Sequence, residues 1–268
     1  MLYIYCKTDG FDIIKDSRLR LSRIDKINDP FELVFDIDEN SAQFNIKQEF
    51  AESSNILQTW SDTLDTQNVI YDKTSPEDIL QKFIQLQICE FRPIPKKLRD
   101  IWNQKIGIVC MSEARDVIQM WAHYADNHKG IVVGIEESEF VRDREAIITV
   151  CYRDKMVLFP VTGNLDKLNQ YTTKYVTEVL GRKETHWSYE KEVRLYVNLE
   201  EKDTDGHYYI NIPCHAIKEI YLGLRSDDTL KMRASSLKEK PEYRHLKIFK
   251  MLSHKSAFKL TPQEINND

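Results

Sequence analysis

The chain has 268 residues, of which 41% are hydrophobic and 30% are charged, and its formal net charge is −5. A chain of this size and composition can bury a full core without disulfide bonds or a structural metal, and its acidic balance gives no general attraction to nucleic acid or anionic membranes. Because it has no run of eighteen apolar residues and no signal-peptide pattern at its start, the sequence predicts a soluble, cytoplasmic protein without a membrane span.

The N-terminal part predicts two strands joined by a short helix. Residues Leu2–Cys6 and Arg18–Arg23 alternate with the two-residue period of half-buried strands, and Phe11–Lys15 is expected to be helical. The segment Asn28–Glu32 then has the residue order of a helix N-terminus, with its aspartate as the cap and its glutamate closing a capping box.

A mostly polar helical region follows, at about 40–100, and both of its flanks resemble strands. We therefore expect a helical insertion or lid within a single α+β domain that covers residues 1–260, followed by a frayed tail at 261–268. The remaining predicted strands are Ile106–Ser112, Gly130–Glu136, Ala146–Tyr152, Glu190–Asn198, His207–Ile212, Ile217–Leu222 and Leu246–Met251. The remaining predicted helices are Asp116–Ala125, Leu165–Leu180 and 226–239. Since strands and helices do not alternate strictly, the sequence predicts a mixed, largely antiparallel sheet with flanking helices.

The five cysteines are scattered singly, without a CxxC pair. In a chain without a secretory signal this spacing indicates reduced thiols. Cys6, Cys110 and Cys151 lie in apolar runs typical of strands, so we expect these three thiols to be buried.

Three predicted strands carry one apolar and one polar face, because side chains alternate along a strand. The polar faces contain Tyr3 and Tyr5 on the first strand, Arg18, Arg20 and Ser22 on the second, and Glu190, Glu192, Arg194 and Tyr196 on the late strand. If these strands join one sheet, the polar face is either a binding floor or the solvated surface that antiparallel sheets commonly present. The sequence leaves both interpretations open.

The segment from Met120 to Gly130 is rich in aromatic rings and imidazoles. Trp121 and Tyr124 lie on a helical stripe that favours core packing, whereas His123 lies on the polar stripe. His123 and His128 are five residues apart and no HExxH motif or Cys/His cluster accompanies them, so we expect no metal site. His123 is then either a satisfied or solvated histidine or a catalytic base.

The densest polar cluster surrounds the late strand. Glu192 and Arg194 lie two residues apart on one face and are expected to pair. Such a pair is costly when buried unless it is fully satisfied or functional, and it contributes little when exposed. The preceding Trp187 and Tyr189 either stack on a planar ligand or cover the sheet edge.

Four segments resemble the bacterial DUF2971 family, a domain of unknown function. They are LYIY at the start, RLRLSRIDKINDPFE, CMSEARDVIQMWAHYADNHKGIVVGIE and WSYEKEVRLY. The resemblance spans the chain from Leu2 to about Leu224, except for the helical region, and implies a fold grouping without an established activity. The order of polar residues is also distantly similar to ADP-ribosyltransferase-type folds. That likeness implies Tyr3 or Tyr5 on the first strand, Arg20 or Ser22 on the second, and Glu192 on the late one.

Our first functional hypothesis is an enzyme that cleaves the nicotinamide–ribose bond of NAD and transfers ADP-ribose to a nucleic-acid or protein acceptor, or to water. Its candidate catalytic residues are Glu192, Tyr5 and His123, and NAD is its substrate. The candidate ligand-binding residues are Tyr3, Arg20, Ser22, Arg23, Asn28, Trp121, Trp187, Tyr189, Glu190 and Arg194. Two alternatives stay open: a nucleic-acid-directed nuclease or binding module, and a ligand-sensing domain without catalysis. The first alternative would use His123 as a base and Arg18, Arg20 and Arg23 on phosphates.

Overall fold

The structure is a computed structural model that describes residues 1–52, 55–139, 145–162, 165–200 and 202–265. Its strands, in chain order, are β1 (Leu2–Cys6), β2 (Arg18–Leu21), β3 (Phe35–Asp38), β4 (Ile106–Ser112), β5 (Ile131–Ile135), β6 (Glu145–Thr149), β7 (Cys151–Tyr152), β8 (Val157–Pro160), β9 (Arg182–Lys183), β10 (Glu192–Asn198), β11 (Tyr208–Asn211), β12 (Ile217–Leu222), β13 (Lys247–Ser253) and β14 (Leu260–Glu264). Its α-helices are α1 (Phe11–Asp16), α2 (Glu39–Glu52), α3 (Ile56–Thr66), α4 (Pro76–Phe91), α5 (Ile94–Lys105), α6 (Ile118–His123), α7 (Leu165–Leu180) and α8 (Asp228–Leu237). The predicted α+β class, with a largely antiparallel sheet and flanking helices, is confirmed.

The chain divides into two compact units. The first contains Met1–Asn28, Asn103–Tyr152 and Glu184–Asp268, and the second contains Asp29–Trp102 and Arg153–Lys183. The sequence predicts one domain with an insertion at about 40–100, whereas this helical region shares its unit with a later stretch of chain. Sequence patterns do not show which strands pair. In the structure β3 pairs in parallel with β8, and this pairing joins the helical region to the later stretch Arg153–Lys183.

The first unit is built on an eight-stranded sheet with the order β14-β13-β12-β5-β1-β4-β10-β6. Every neighbouring pair is antiparallel except β12 and β13, which are parallel. The central strand β5 has the apolar sequence IVVGI and all five of its residues are buried, as expected for a strand covered on both faces.

One face of this sheet packs on the main hydrophobic core. The core contains Leu2, Val133 and Leu195 from three strands, together with side chains of α1 and α8. Leu19 and Leu21 of β2 belong to the same core. The hypothesis that β2 joins the sheet is wrong, since β2 pairs with β11 in a separate two-stranded sheet. Its leucines face the core, so the alternating Arg18 and Arg20 face away from it.

The second unit has its own apolar cluster where α2, α3 and α4 meet. Trp60 and Phe83 stack there with ring centroids 4.5 Å apart and planes 10° apart. Ser75 caps α4, because its Oγ accepts a 3.2 Å hydrogen bond from the backbone N–H of Asp78.

The predicted helix start at Asn28–Glu32 does not form. The Asp29 carboxylate instead accepts a 2.9 Å hydrogen bond from the backbone N–H of Phe31, two residues on. This is an Asx turn, which competes with helix capping for the same aspartate. Leu33 then has a φ of 54°, which ends any helical run.

The end of the described chain is ordered in a strand. The tail was expected to fray from residue 261, but β14 covers Leu260–Glu264 and pairs antiparallel with β13. Residues 266–268 lie outside the described part. None of the helices in the described ranges has both the length and the apolar character needed to cross a bilayer.

Candidate functional site

A row of residues crosses five strands of the sheet at one level. Tyr3 lies opposite Gly134 on one side and opposite Ser112 on the other. Beyond them, Gly134 lies opposite Glu219, and Ser112 lies opposite Glu192. Directly opposed residues point to the same face, so Tyr3, Ser112, Glu192 and Glu219 all face away from the main core. We call this side of the sheet the polar face.

Ser112 connects the strands of the polar face to the chain above it. It is fully buried, and its Oγ donates a 2.6 Å hydrogen bond to the carbonyl of Glu190. The same oxygen accepts a 3.0 Å hydrogen bond from the backbone N–H of Ala114. Ser112 therefore fixes both the turn before β10 and the loop after β4.

Glu192 and Arg194 form the buried pair that the sequence predicts. Nε and Nη2 of Arg194 donate to the two carboxylate oxygens of Glu192 at 2.9 and 3.1 Å. The side chains are 1% and 3% exposed for Arg194 and Glu192 respectively. Bidentate pairing holds the carboxylate in a fixed orientation and offsets much of its charge.

Glu190 is a second buried carboxylate next to this pair. It ends the 3-10 helical turn Thr185–Glu190 rather than starting the strand, because Lys191 has a φ of 46°. The hydroxyl of Tyr124 donates a 2.6 Å hydrogen bond to Oε1 of Glu190. The amide of Asn28 in turn donates a 3.0 Å hydrogen bond to the Tyr124 hydroxyl. Asn28, Tyr124 and Glu190 thus form a chain of hydrogen bonds that ends at a carboxylate.

On the other side of the row, Arg115 links Tyr3 to Glu219. Its Nη1 donates a 3.0 Å hydrogen bond to the hydroxyl of Tyr3, and its guanidinium lies over the rings of Tyr3 and Tyr221 at 5.7 and 5.4 Å. The Tyr221 hydroxyl donates to Glu219 at 2.7 Å. These contacts fasten the loop after β4 to the sheet, which gives Tyr3 a structural role.

Tyr5, a predicted catalytic residue, is also held in place. Its hydroxyl donates a 2.9 Å hydrogen bond to the carbonyl of Ala114 and accepts one of 3.3 Å from the backbone N–H of Val117. Burial raises the pKa of this hydroxyl well above its ordinary value. With its hydroxyl engaged in this way, Tyr5 is unsuited to transfer protons near neutral pH and instead forms a wall of the site.

A cleft of about 590 Å³ opens beside Tyr5. Strands β1 and β4 pair at a single position, where Tyr3 lies opposite Ser112. Farther along β4, Ile108 forms an isolated bridge with Ser22 instead of pairing with β1. The resulting gap is lined by Tyr5, Ser22 and Tyr124, among other residues. We call it the Tyr124 cleft, because Tyr124 both lines it and hydrogen-bonds the buried Glu190.

The Tyr124 cleft brings together four of the predicted site residues, namely Tyr5, Arg20, Ser22 and His123. In the described part of the chain, the Arg20 guanidinium forms neither a salt bridge nor a hydrogen bond. Arg18 is engaged instead, since it pairs with Asp203 and lies 3.9 Å over the ring of Tyr209. Arg20 is thus the arginine of this cleft that is available to a bound anion.

Several other predicted residues lie elsewhere. Trp121 is fully buried, with its indole N–H donating to the carbonyl of Arg115 at 2.8 Å, so it is a core residue. Arg23 pairs with Asp25 at 3.4 Å. Trp187 and Tyr189 lie in the turn before β10 with ring centroids 6.2 Å apart, and neither lines the Tyr124 cleft.

The cysteine predictions were partly wrong. Of the three thiols expected to be buried, those of Cys110 and Cys151 are exposed and that of Cys6 is partly buried. Cys110 lies opposite Arg194 on the polar face. Because Cys110 is exposed, the polar face is open to solvent at this position of β4, beside the gap that separates β4 from β1. No group of His, Cys, Asp and Glu side chains suited to a metal ion occurs in the described ranges.

Sequence reasoning missed Ser112 and misread Tyr124. Ser112 is the single hydroxyl-bearing residue in the otherwise apolar run IGIVCMS. A polar residue at the end of a buried strand was the sequence signal that could have identified it. Tyr124 was assigned to an apolar helical stripe that favours core packing, but α6 ends at His123 and Tyr124 leaves the stripe.

The model of DUF2971, described as a protein family of unknown function, matches residues 120–195. This confirms the resemblance to DUF2971 over that segment, which contains Tyr124, Glu190, Glu192 and Arg194. No curated protein and no solved structure matches the chain.

Proposed function

We propose that the Tyr124 cleft binds NAD and that the protein cleaves its nicotinamide–ribose bond, passing ADP-ribose to a nucleic-acid or protein acceptor or to water. The observation that carries this proposal is the hydrogen bond between the cleft residue Tyr124 and the buried carboxylate of Glu190. It connects a carboxylate to an open cleft that also contains Arg20, whose guanidinium forms no salt bridge or hydrogen bond to the described residues.

The chemistry needs a negative group near the reacting ribose. When the bond between the ribose C1′ and the nicotinamide nitrogen breaks, both electrons leave with the nicotinamide and positive charge develops on the ribose. A carboxylate stabilises such an oxocarbenium-like state, and an acceptor oxygen or water then bonds to C1′. In the part of the chain that the structure describes, Glu190 and Glu192 are buried carboxylates at and just before the start of β10, and we consider both for this role.

The structure favours different roles for these two glutamates. Arg194 neutralises Glu192, which suits the fixing of a ribose hydroxyl better than the stabilisation of positive charge. Glu190 accepts a hydrogen bond from the hydroxyl of Tyr124, and because Tyr124 lines the cleft, this contact ties the Glu190 carboxylate to the space proposed for NAD. We therefore assign the electrostatic role to Glu190 and the positioning role to Glu192, although the sequence pointed first to Glu192.

The remaining cleft residues suit the other parts of NAD. Arg20 is available to the pyrophosphate, and the rings of Tyr5 and Tyr124 offer apolar surface to the nicotinamide or ribose. His123 is exposed and lines the cleft, and we assign it the role of accepting a proton from an incoming acceptor.

The nucleic-acid alternative receives less support from the same cleft. Its lining contains four acidic side chains, Asp9, Asp12, Asp16 and Asp205, against three basic ones, Lys7, Arg18 and Arg20. A phosphate backbone prefers a surface with a clear excess of positive charge.

The test is nicotinamide release from NAD by the purified protein, followed by chromatography with and without RNA, DNA and protein acceptors. Glu190→Gln should lower the rate by about a hundredfold or more, as removal of one electrostatic group typically does. Glu239→Gln, a change of an exposed glutamate after α8, is the matched control and should leave the rate unchanged. Absence of nicotinamide release under all conditions would overturn the catalytic proposal, and NAD binding without release would support the ligand-sensing alternative.

A further inference from the structure

The last hairpin of the sheet carries a basic stretch in an otherwise acidic chain. From Arg244 to Gln263 the sequence contains five lysines and arginines but neither aspartate nor glutamate, whereas the whole chain has a formal net charge of −5. This stretch includes β13, the start of β14 and the loop of residues 254–259 between them, which we call the Phe258 loop. A local excess of positive charge of this kind is typical of a surface that binds a polyanion.

The backbone of the Phe258 loop is held by its own hydrogen bonds. The N–H of His254 donates to the carbonyl of Lys259 at 3.0 Å and closes the loop. The ring nitrogen Nδ1 of His254 accepts a 3.2 Å hydrogen bond from the N–H of Ser256. The loop therefore presents its side chains from a defined backbone, which lowers the entropic cost of binding a partner.

The side chains of the loop are available to such a partner. Phe258 is fully exposed, and no aromatic ring of the described residues stacks on it. Lys255 and Lys259 are exposed on either side of it, and within the described ranges their amines form neither a salt bridge nor a hydrogen bond. A single exposed ring is common on protein surfaces, but a ring between two ammonium groups matches the two features of a single nucleic-acid strand, base faces and phosphates.

We propose that the Phe258 loop binds single-stranded nucleic acid. Lys255 and Lys259 contact its phosphates, and the ring of Phe258 stacks on an unpaired base. A single strand fits better than a duplex, because the bases of a duplex are already stacked on one another. It also fits better than an anionic membrane, because membrane binding grows with the buried apolar area and the loop has one large apolar side chain beside Ser256 and Ala257.

The loop lies at the same end of the sheet as the Tyr124 cleft. Strands β1, β12 and β13 run in one direction, since β12 is parallel to β13 and both β1 and β12 are antiparallel to β5. The cleft lining includes residues that follow β1, and the loop follows β13, three strand positions away. At about 4.8 Å per strand this separation is roughly 15 Å. A strand held by the loop is therefore a suitable acceptor for ADP-ribose, and this last assignment alone rests on the proposed function.

The test is the fluorescence anisotropy of a labelled oligothymidylate titrated with the whole protein in the absence of NAD. A duplex of the same length serves as the comparison. We expect the single strand to bind more tightly than the duplex, and its affinity to fall as the salt concentration rises because phosphate contacts release counterions.

A double lysine variant tests the charges. Lys255→Gln with Lys259→Gln should weaken binding about tenfold or more at low salt and reduce the slope of log K against log salt by about 1.4, at about 0.7 per phosphate contact. Lys47→Gln with Lys97→Gln changes two exposed lysines of α2 and α5 and alters the net charge equally. This matched control should leave both the affinity and the slope unchanged.

A second variant tests the ring. Phe258→Ala should weaken binding at least about fivefold through the loss of stacking and leave the salt slope unchanged. Phe44→Ala, at a phenylalanine of α2 that is 63% exposed, is its control and should bind like the unaltered protein.

The proposal would be overturned by absence of oligonucleotide binding at low salt, by loop variants that bind like their controls, or by equal affinity for single strand and duplex. Binding to phosphatidylserine vesicles without binding to the oligonucleotide would overturn it in favour of a membrane. Because the assay contains no NAD, a failure of NAD cleavage would leave its result unchanged. Loss of binding at the loop would equally leave the transfer of ADP-ribose to water intact.

Discussion

The hydroxyl of Tyr124 donates a 2.6 Å hydrogen bond to Oε1 of Glu190, and this contact joins an open cleft to a buried carboxylate. A buried carboxylate tolerates desolvation only when its oxygens have partners. Tyr124 therefore contributes to the stability of the fold as well as to the proposed site, and the two contributions can be measured separately.

Tyr124→Phe removes this donor while keeping the ring. We expect the free energy of unfolding to fall by about 1–3 kcal/mol, because the buried Glu190 loses a hydrogen bond. Urea unfolding measures the change. Tyr209→Phe is the matched control, since the Tyr209 hydroxyl donates to the exposed Asp205, and its loss should change stability little. Equal stability of both variants would show that Glu190 does not depend on Tyr124.

The pair of Arg194 and Glu192 predicts a larger effect. Arg194→Met leaves a buried carboxylate without its bidentate partner, so we expect the free energy of unfolding to fall by about 3–5 kcal/mol. The double variant with Glu192→Leu should recover much of this loss, because it also removes the buried carboxylate that lost its bidentate partner. Arg92→Met, at a pair with 60% and 45% exposed side chains, should have little effect. A double variant no more stable than Arg194→Met would contradict this account.

The sequence predicted the positions of the strands better than it predicted which strands pair with each other. Ile106–Ser112 was predicted as a strand with the same bounds as β4, because a short continuous apolar run is typical of a buried strand. The alternation around Arg20 correctly indicated a strand, but alternation does not reveal which strand is its neighbour. Hence β2 was grouped with the sheet, although its partner is β11.

The site shows the same limit. Alternation placed Tyr3 and Glu192 on polar faces, and the pairing of both with Ser112 confirms that they share a face. Alternation could not show that β1 and β4 separate beyond the pair of Tyr3 and Ser112. This separation depends on the bridge between Ser22 and Ile108, which lie far apart in the sequence. The cleft and the exposure of Cys110 both follow from this separation.

Gly134 lies between Tyr3 and Glu219 in the row, and the structure explains why this position has no side chain. A Cβ atom there would lie 3.1 Å from Cβ of Glu219 and 3.2 Å from Cε1 of Tyr3. We expect Gly134→Ala to lower the free energy of unfolding by about 1–3 kcal/mol through overpacking. In a double-mutant cycle, Glu219→Gly should reduce this cost, and strictly additive effects would show that the contact is not its cause.

Alkaline pH should destabilise the first unit. Burial raises the pKa of Cys6 from 9.0 to about 12, and burial is also the main cause that raises the pKa of Tyr243 from 10.0 to about 12. Both groups are neutral when protonated and hold their protons more tightly in the folded state. Their contribution is therefore complete below about pH 9 and is lost as pH rises toward about 12. Urea unfolding across this range measures the loss, which should be smaller in Cys6→Ala because one of the two titrations is removed.

Cys110 offers a test of the proposed site that does not depend on catalysis. It is exposed on the polar face opposite Arg194, whereas Cys89 and Cys151 are exposed elsewhere. All three thiols should react with a maleimide in the free protein, and Cys6 should react most slowly because burial raises its pKa. If NAD binds over the polar face, it should slow the labelling of Cys110 and leave Cys89 and Cys151 unchanged. Labelling rates followed by mass spectrometry with increasing NAD decide this, and equal rates at Cys110 with and without NAD would place any bound nucleotide away from Glu190 and Glu192.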